Sequence, residues 1–143
     1  MLANPFLKSL FRLATLAVVA AAFGPVSARA VDAALAGTHW RLVSVGGVAA
    51  DVSRREPFIM LDPNGRLSGG TGCNRFAGGY VVDGGYLSFG EVATTRMYCA
   101  AVWEQERAIL DALPEVARWQ LTGDRLELLG ETGTVLAVFE AAP

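Results

Sequence analysis

Short apolar runs recur along the chain from residue 39 to residue 139, each bounded by Gly, Asp, Asn or Pro, at the spacing of a small all-β sandwich or barrel. His39 to Val45 is the first predicted strand and ends at Gly46-Gly47. Residues 57 to 61, PFIML, are apolar at every position, which predicts a central strand; Asp62-Pro63-Asn64-Gly65 then reverses the chain, with φ preset at Pro63 and Gly65 free to turn. Arg66 to Gly70 returns antiparallel. Tyr80 to Val82 and Tyr86 to Phe89 flank Asp83-Gly84-Gly85, a hairpin signal. Three more strands are predicted at Glu115 to Leu121, Arg125 to Leu129 and Thr134 to Phe139. In these, Leu126 and Leu128 oppose Arg125 and Glu127, while Val135, Ala137 and Phe139 share a side. Only Ala101 to Leu113 has helical spacing, with Val102, Ile109, Leu110 and Leu113 near one face and Pro114 as the stop. The chain is therefore mainly β with one helix (α+β). Closure into a small antiparallel β-barrel of about eight strands, capped or plugged by the helix, would remove the exposed edges of an open sheet.

The first thirty residues carry a different pattern. Lys8 and Arg12 precede an uncharged apolar run from Leu13 to Phe23, and Ala28-Arg29-Ala30 supplies the small residues a signal peptidase accepts, predicting cleavage after Ala30. The run falls short of the roughly 20 residues of a permanent span, and Gly24-Pro25 interrupts it, so no permanent membrane span is expected. Residues 31 to 36 read as a lead-in and 37 to 143 as one domain. Removing thirty of the 143 residues takes away three of twelve basic residues and none of the fourteen acidic ones, leaving nine cations against fourteen anions. That net charge of −5 argues against nucleic acid, which is held by clustered cations. The expected location is periplasmic or secreted.

In such a compartment the two cysteines change the picture. Cys73 lies in Ser68-Gly69-Gly70-Thr71-Gly72-Cys73-Asn74-Arg75-Phe76 and Cys99 in Thr94-Thr95-Arg96-Met97-Tyr98-Cys99. Two thiols in one small exported domain point to a covalent staple before a catalytic pair. Gly72 would let the backbone turn tightly, Asn74 would bond its own backbone there, and Phe76 would anchor the segment in the core.

The Gly-Cys-Asn and Thr-Arg-Met-Tyr-Cys islands, together with Trp40-Arg41-Leu42, the glutamate-bearing helix and the closing Leu126-Glu127-Leu128 and Val135 to Phe139 pair, resemble the META domain family, which includes the bacterial HslJ-type heat-shock proteins. The resemblance covers nearly all of residues 37 to 140. It implies a barrel-like domain of the cell envelope, linked to heat or antibiotic stress, in a family with no established enzymatic activity. Some members resemble lipoproteins; this chain has no acceptor cysteine near its cleavage site.

Other chemistry has little footing. A thiol enzyme would pair Cys73 or Cys99 with His39 as base, but needs a reduced sulfur. A Gly-x-Ser-x-Gly nucleophile turn does not occur. Two thiols and one imidazole are too few for zinc, and 62 to 65 lacks the later glutamate of a calcium loop. Glu104 and Glu106, two apart on a helix, do not face each other. No metal or cofactor is expected. Thr95, Arg75 and Arg96 flank the cysteines: either both guanidiniums reach one barrel mouth as an anion site, or each satisfies buried carbonyls or a carboxylate such as Glu91. The second is the working expectation. The sequence thus predicts a non-enzymatic protein acting through contacts with an unknown envelope protein, with a carrier of a small hydrophobic ligand in the barrel interior as the alternative.

Overall fold

The computed structural model of the chain describes residues 33–143. The signal-like segment and its cleavage site lie outside the described residues. The strands are β1 (His39–Val45), β2 (Val48–Ala49), β3 (Phe58–Leu61), β4 (Arg66–Gly70), β5 (Arg75–Asp83), β6 (Tyr86–Phe89), β7 (Ala93–Thr94), β8 (Arg118–Thr122), β9 (Arg125–Leu129) and β10 (Val135–Ala141). Residues 33 to 35 are helical, and the helix α1 (Trp103–Ala112) sits between 3-10 turns at Ala100–Val102 and Leu113–Glu115.

Eight of these strands form a closed antiparallel ring in chain order, β1-β3-β4-β5-β6-β8-β9-β10, shut by β10 against β1. The two-residue strands are additions: β2 folds back on β1 and β7 lies on β5. The expectation of about eight strands and one helix therefore describes the barrel, with β2 and β7 beyond it. One seam is thin. β6 and β8 share the single pair Tyr86↔Arg118, supplemented by Leu87 N–H to Ala117 O at 3.1 Å and Trp119 N–H to Gly85 O at 3.2 Å.

Alternation fills the ring. Trp40, Leu42, Ile59, Leu61, Leu67, Phe76, Leu87, Leu126, Leu128 and Phe139 are all buried, as period-2 geometry requires of inward positions. Helix α1 closes one end, its Ile109 packing with Leu113 and Val116 toward Leu42, Val45, Leu128, Ala137 and Phe139. The space left among those side chains is about 10 Å³, no more than one water. At this end of the barrel the interior is a packed core, as small barrels commonly are.

Several elements differ from the sequence expectation, each for a local reason. Leu35 is fully buried, accepts a hydrogen bond from Trp40 Nε1 at 3.1 Å, and is followed by the Ala36↔Leu61 bridge, so the folded domain begins inside the predicted lead-in. β5 starts at Arg75 rather than Tyr80. Gly78-Gly79 lies inside the strand, and because a Cβ at Gly78 would stand 2.8 Å from Glu91 O, its missing side chain admits the neighbouring segment. The predicted strand from Glu115 begins only at Arg118, because Leu113–Glu115 continues the helix as a 3-10 turn with Pro114 at its start. A register shift between Val135 and Ala137 turns Val135 outward while Ala137, Val138 and Phe139 are all buried, as a bulge does.

Candidate functional site

The two cysteine islands meet at the helix-capped end. Cys73 and Cys99 form a disulfide with Cα atoms 5.9 Å apart, 26 residues apart in sequence, and both are buried with Val102. The predicted staple is therefore present, and no thiol remains free for the Cys/His39 chemistry. His39 is engaged elsewhere: its ring stacks on Phe58 at 4.5 Å between centroids and its Nε2 lies 3.3 Å from Glu56 Oε1.

Beside the disulfide lies a buried polar cluster of Thr71, Asn74 and Glu106. Glu106 Oε2 accepts from Thr71 Oγ1 at 2.8 Å, and Asn74 Nδ2 donates to Glu106 Oε1 at 2.8 Å and to Met97 O at 2.9 Å. On its other side Asn74 Oδ1 accepts from Met97 N–H at 2.8 Å and from Thr95 Oγ1 at 2.9 Å. Asn74 thus uses both halves of its amide to join three segments, where the sequence suggested a bond to its own backbone. The turn itself is held by Thr71, whose Oγ1 accepts from Cys73 N–H at 3.2 Å and Asn74 N–H at 2.9 Å. Gly72 adopts φ +94° there, and a Cβ on it would approach Gln105 Nε2 at 3.0 Å.

Helix α1 is fastened to the same turn. Gln105 Nε2 donates to Thr71 O at 2.9 Å and its Oε1 accepts from Asp51 N–H at 2.6 Å. Glu106 lies in the first turn of α1, where the helix dipole favours a negative side chain. A buried carboxylate without partners would be costly; here both oxygens are bonded. Thr71, Gln105 and Glu106 were missed at the sequence level. The signal for Glu106 was present: it falls between Val102 and Ile109, on the stripe those two residues and Leu113 define, so an acid was facing the core.

Arg75 and Arg96 come out differently from the expectation. Among the described residues neither guanidinium has a hydrogen bond or ion pair, to Glu91 or to any other carboxylate. The disulfide brings their backbones near each other, and Arg75 N–H donates to Thr95 Oγ1 at 3.0 Å, but the side chains open onto separate clefts. Strand alternation is the reason: Asn74 points in, so Arg75 points out. Phe76, the next inward position, packs against Gly69, which has no room for a Cβ. Past Arg96 the loop presents Met97 and Tyr98, 48 % and 75 % exposed, with the Tyr98 ring 5.8 Å from that of Trp103, itself 41 % exposed. Together with Leu110 these residues line a cleft of about 390 Å³.

No group of three or more metal-ligating side chains occurs among the described residues. No helix among them is long and apolar enough to cross a membrane.

The family model described as META domain matches residues 33–143. Among solved structures, a protein determined by NMR is 28 % identical with a TM-score of 0.63, covering 76 % of this chain and 92 % of its own. A second NMR structure, of a protein from Burkholderia xenovorans, is 24 % identical over 99 % of both chains with a TM-score of 0.62. The crystal structure of a DUF4847 family protein from Bacteroides vulgatus is similar in fold, at 15 % identity and a TM-score of 0.60, covering 77 % of this chain and 96 % of its own. No curated protein matches the chain.

Proposed function

We propose that this chain, which belongs to the META domain family, is an exported, non-enzymatic domain of the bacterial cell envelope that supports tolerance of heat or antibiotic stress through contacts with another protein. The observation that carries this reading is the aromatic tip formed by Met97, Tyr98 and Trp103. Large apolar side chains so exposed in one place are typical of contact surfaces. This tip is also braced from behind: the disulfide, the paired bonds of Asn74 to Met97 and the buried Glu106 fix the loop before any partner arrives. A preordered loop loses less conformational freedom on association. The disulfide fits an oxidising compartment, and the signal-like residues 1 to 30 fit export. The non-enzymatic part rests on Thr71, Asn74, Thr95 and Glu106, whose side chains beside the disulfide bond to one another.

The test is site-specific photo-crosslinking in the periplasm under heat or antibiotic challenge, with a photoreactive phenylalanine at Tyr98 and, as control, at Asp124 in the exposed β8–β9 hairpin at the opposite end. A discrete adduct from position 98 and none from 124 is expected. Identical neighbours from both positions would reject the protein-contact reading.

A further inference from the structure

The side chains of the barrel's core pack together, and a hollow lies on its outside. On the outer face of β3, β4 and β5 a trough of about 660 Å³ runs across the strands, within the size range of small-ligand sites. Its origin is a step in side-chain size along two registered rows. In one row Met60 pairs with Ser68, Ser68 with Ala77, and Ala77 with Ala93. In the next, Phe58 pairs with Gly70 and Gly70 with Arg75. Large residues stand on β3, the floor on β4 and β5 is nearly bare, and β7 with Thr94 rises on the far side. From β3 to β7 is three strand spacings, about 14 Å.

The chemistry of the trough is asymmetric. Its body is apolar, with Phe58 fixed by the stacked His39. One end carries the Arg75 guanidinium, which has no partner among the described residues. A smaller cleft adjoins it at Phe58 and Arg75 and brings Arg55 and Glu56 to the same rim. Glu56 is taken up by His39, while Arg55, like Arg75, has no ion pair. Arg75 thus lines both the trough and the smaller cleft, where Arg55 also stands without an ion pair, on a chain with more acidic than basic residues. A fork of donors suits a carboxylate.

We propose that this outer-face trough binds a free single-chain amphiphile with a carboxylate head, the chain lying over Ser68 and Ala77 against Phe58 and Met60 and the head at Arg75. A single chain can lie along the recessed floor, whereas the headgroup plane of a bilayer spans the rim and does not reach it. The trough adjoins the cleft of the Met97–Tyr98–Trp103 tip at Thr94 and Thr95 but is otherwise lined by different residues, and its ligand binding is tested apart from the protein-contact reading.

Decanoate kept below its micellar concentration is the probe, followed by calorimetry and by amide shifts of β3 to β5, with decanol and phosphatidylglycerol vesicles alongside. Saturable decanoate binding is expected. Arg75→Ala should weaken it about tenfold or more while leaving decanol unchanged, and Ala77→Leu or Ser68→Leu, each checked for native near-ultraviolet dichroism, should abolish binding of both. Absence of saturable decanoate binding to the unmodified protein overturns the proposal. So does undiminished binding by a folded trough-filling variant, an equal loss of decanoate and decanol in Arg75→Ala, or binding to vesicles without binding of the monomer.

Discussion

At the helix-capped end Asn74 is buried and bonded through its carbonyl, its amide nitrogen and its backbone N–H; one residue later Arg75 stands on the outer face with its guanidinium unpartnered. The same short motif therefore serves two regions of opposite character. Inward-facing and loop positions build a closed network in which each polar group meets another, so the network yields rigidity. Outward-facing positions build a trough whose polar group is left open. The contrast separates holding residues from candidate binding residues within a single motif, and it can be tested residue by residue.

The heaviest blow to the closed region is removal of the disulfide. Cys73→Ser or Cys99→Ser frees a loop of 26 residues' separation, for which chain entropy gives about 3.5 kcal/mol. The melting temperature should fall by more than about 10 °C. A melt within a degree or two of the parent would show that the network alone holds that end. Asn74→Ala comes next. It leaves Met97 N–H without its acceptor and strips Glu106 of its amide donor, an expected loss of about 3 kcal/mol by denaturant titration. A loss below about 1 kcal/mol would mean that water replaces the amide and the region is not closed.

A smaller effect comes from Asp51, at the edge of the same region. Hydrogen bonds from Ser53 hold its carboxyl below the ordinary 3.8, outweighing a slight opposing effect of burial. A folded-state value below the unfolded one contributes stability that is present above 3.8 and disappears as pH falls through the lowered value. Asp51→Asn should accordingly melt slightly below the parent near neutral pH, and the two curves should converge in strong acid. A constant gap down to the lowest pH would assign the effect to the turn's shape and not to charge. The smallest change is expected in the open region: Arg75→Ala should alter stability by no more than about 0.5 kcal/mol. A loss near that of Asn74→Ala would place Arg75 in the clamp and erase the distinction between the two regions.

Much of the fold is legible in the sequence. β1, β4, β6 and β9 fall at the predicted residues, because alternation and turn glycines are local signals. The 62 to 65 turn is built as its residues suggest, with Gly65 N–H donating to Asp62 O at 3.1 Å and Gly65 at φ +83°. The cysteine staple was legible too, since two thiols in one small domain leave few options. Where the reading slipped, the cause was contact between distant segments. The strand expected from Tyr80 begins at Arg75, with Glu91 set close against Gly78. Glu106 resembles a surface acid until Thr71 and Asn74 arrive beside it. The all-apolar Phe58–Leu61 reads as a strand buried on both faces, whereas Phe58 and Met60 are half-buried walls of an outer trough.

Sequence by itself determined the strand periodicity, the turns and the pairing of the two cysteines, because each depends on residues a few positions apart or on composition alone. Only the tertiary structure decided that the ring closes through β10 on β1, that Asn74 and Glu106 satisfy each other, and that Arg75 has no partner among the described residues. Those outcomes follow from which groups meet across the barrel. A side chain's burial, and hence whether it stabilises the fold or remains available to a ligand, is a property of its neighbours in space.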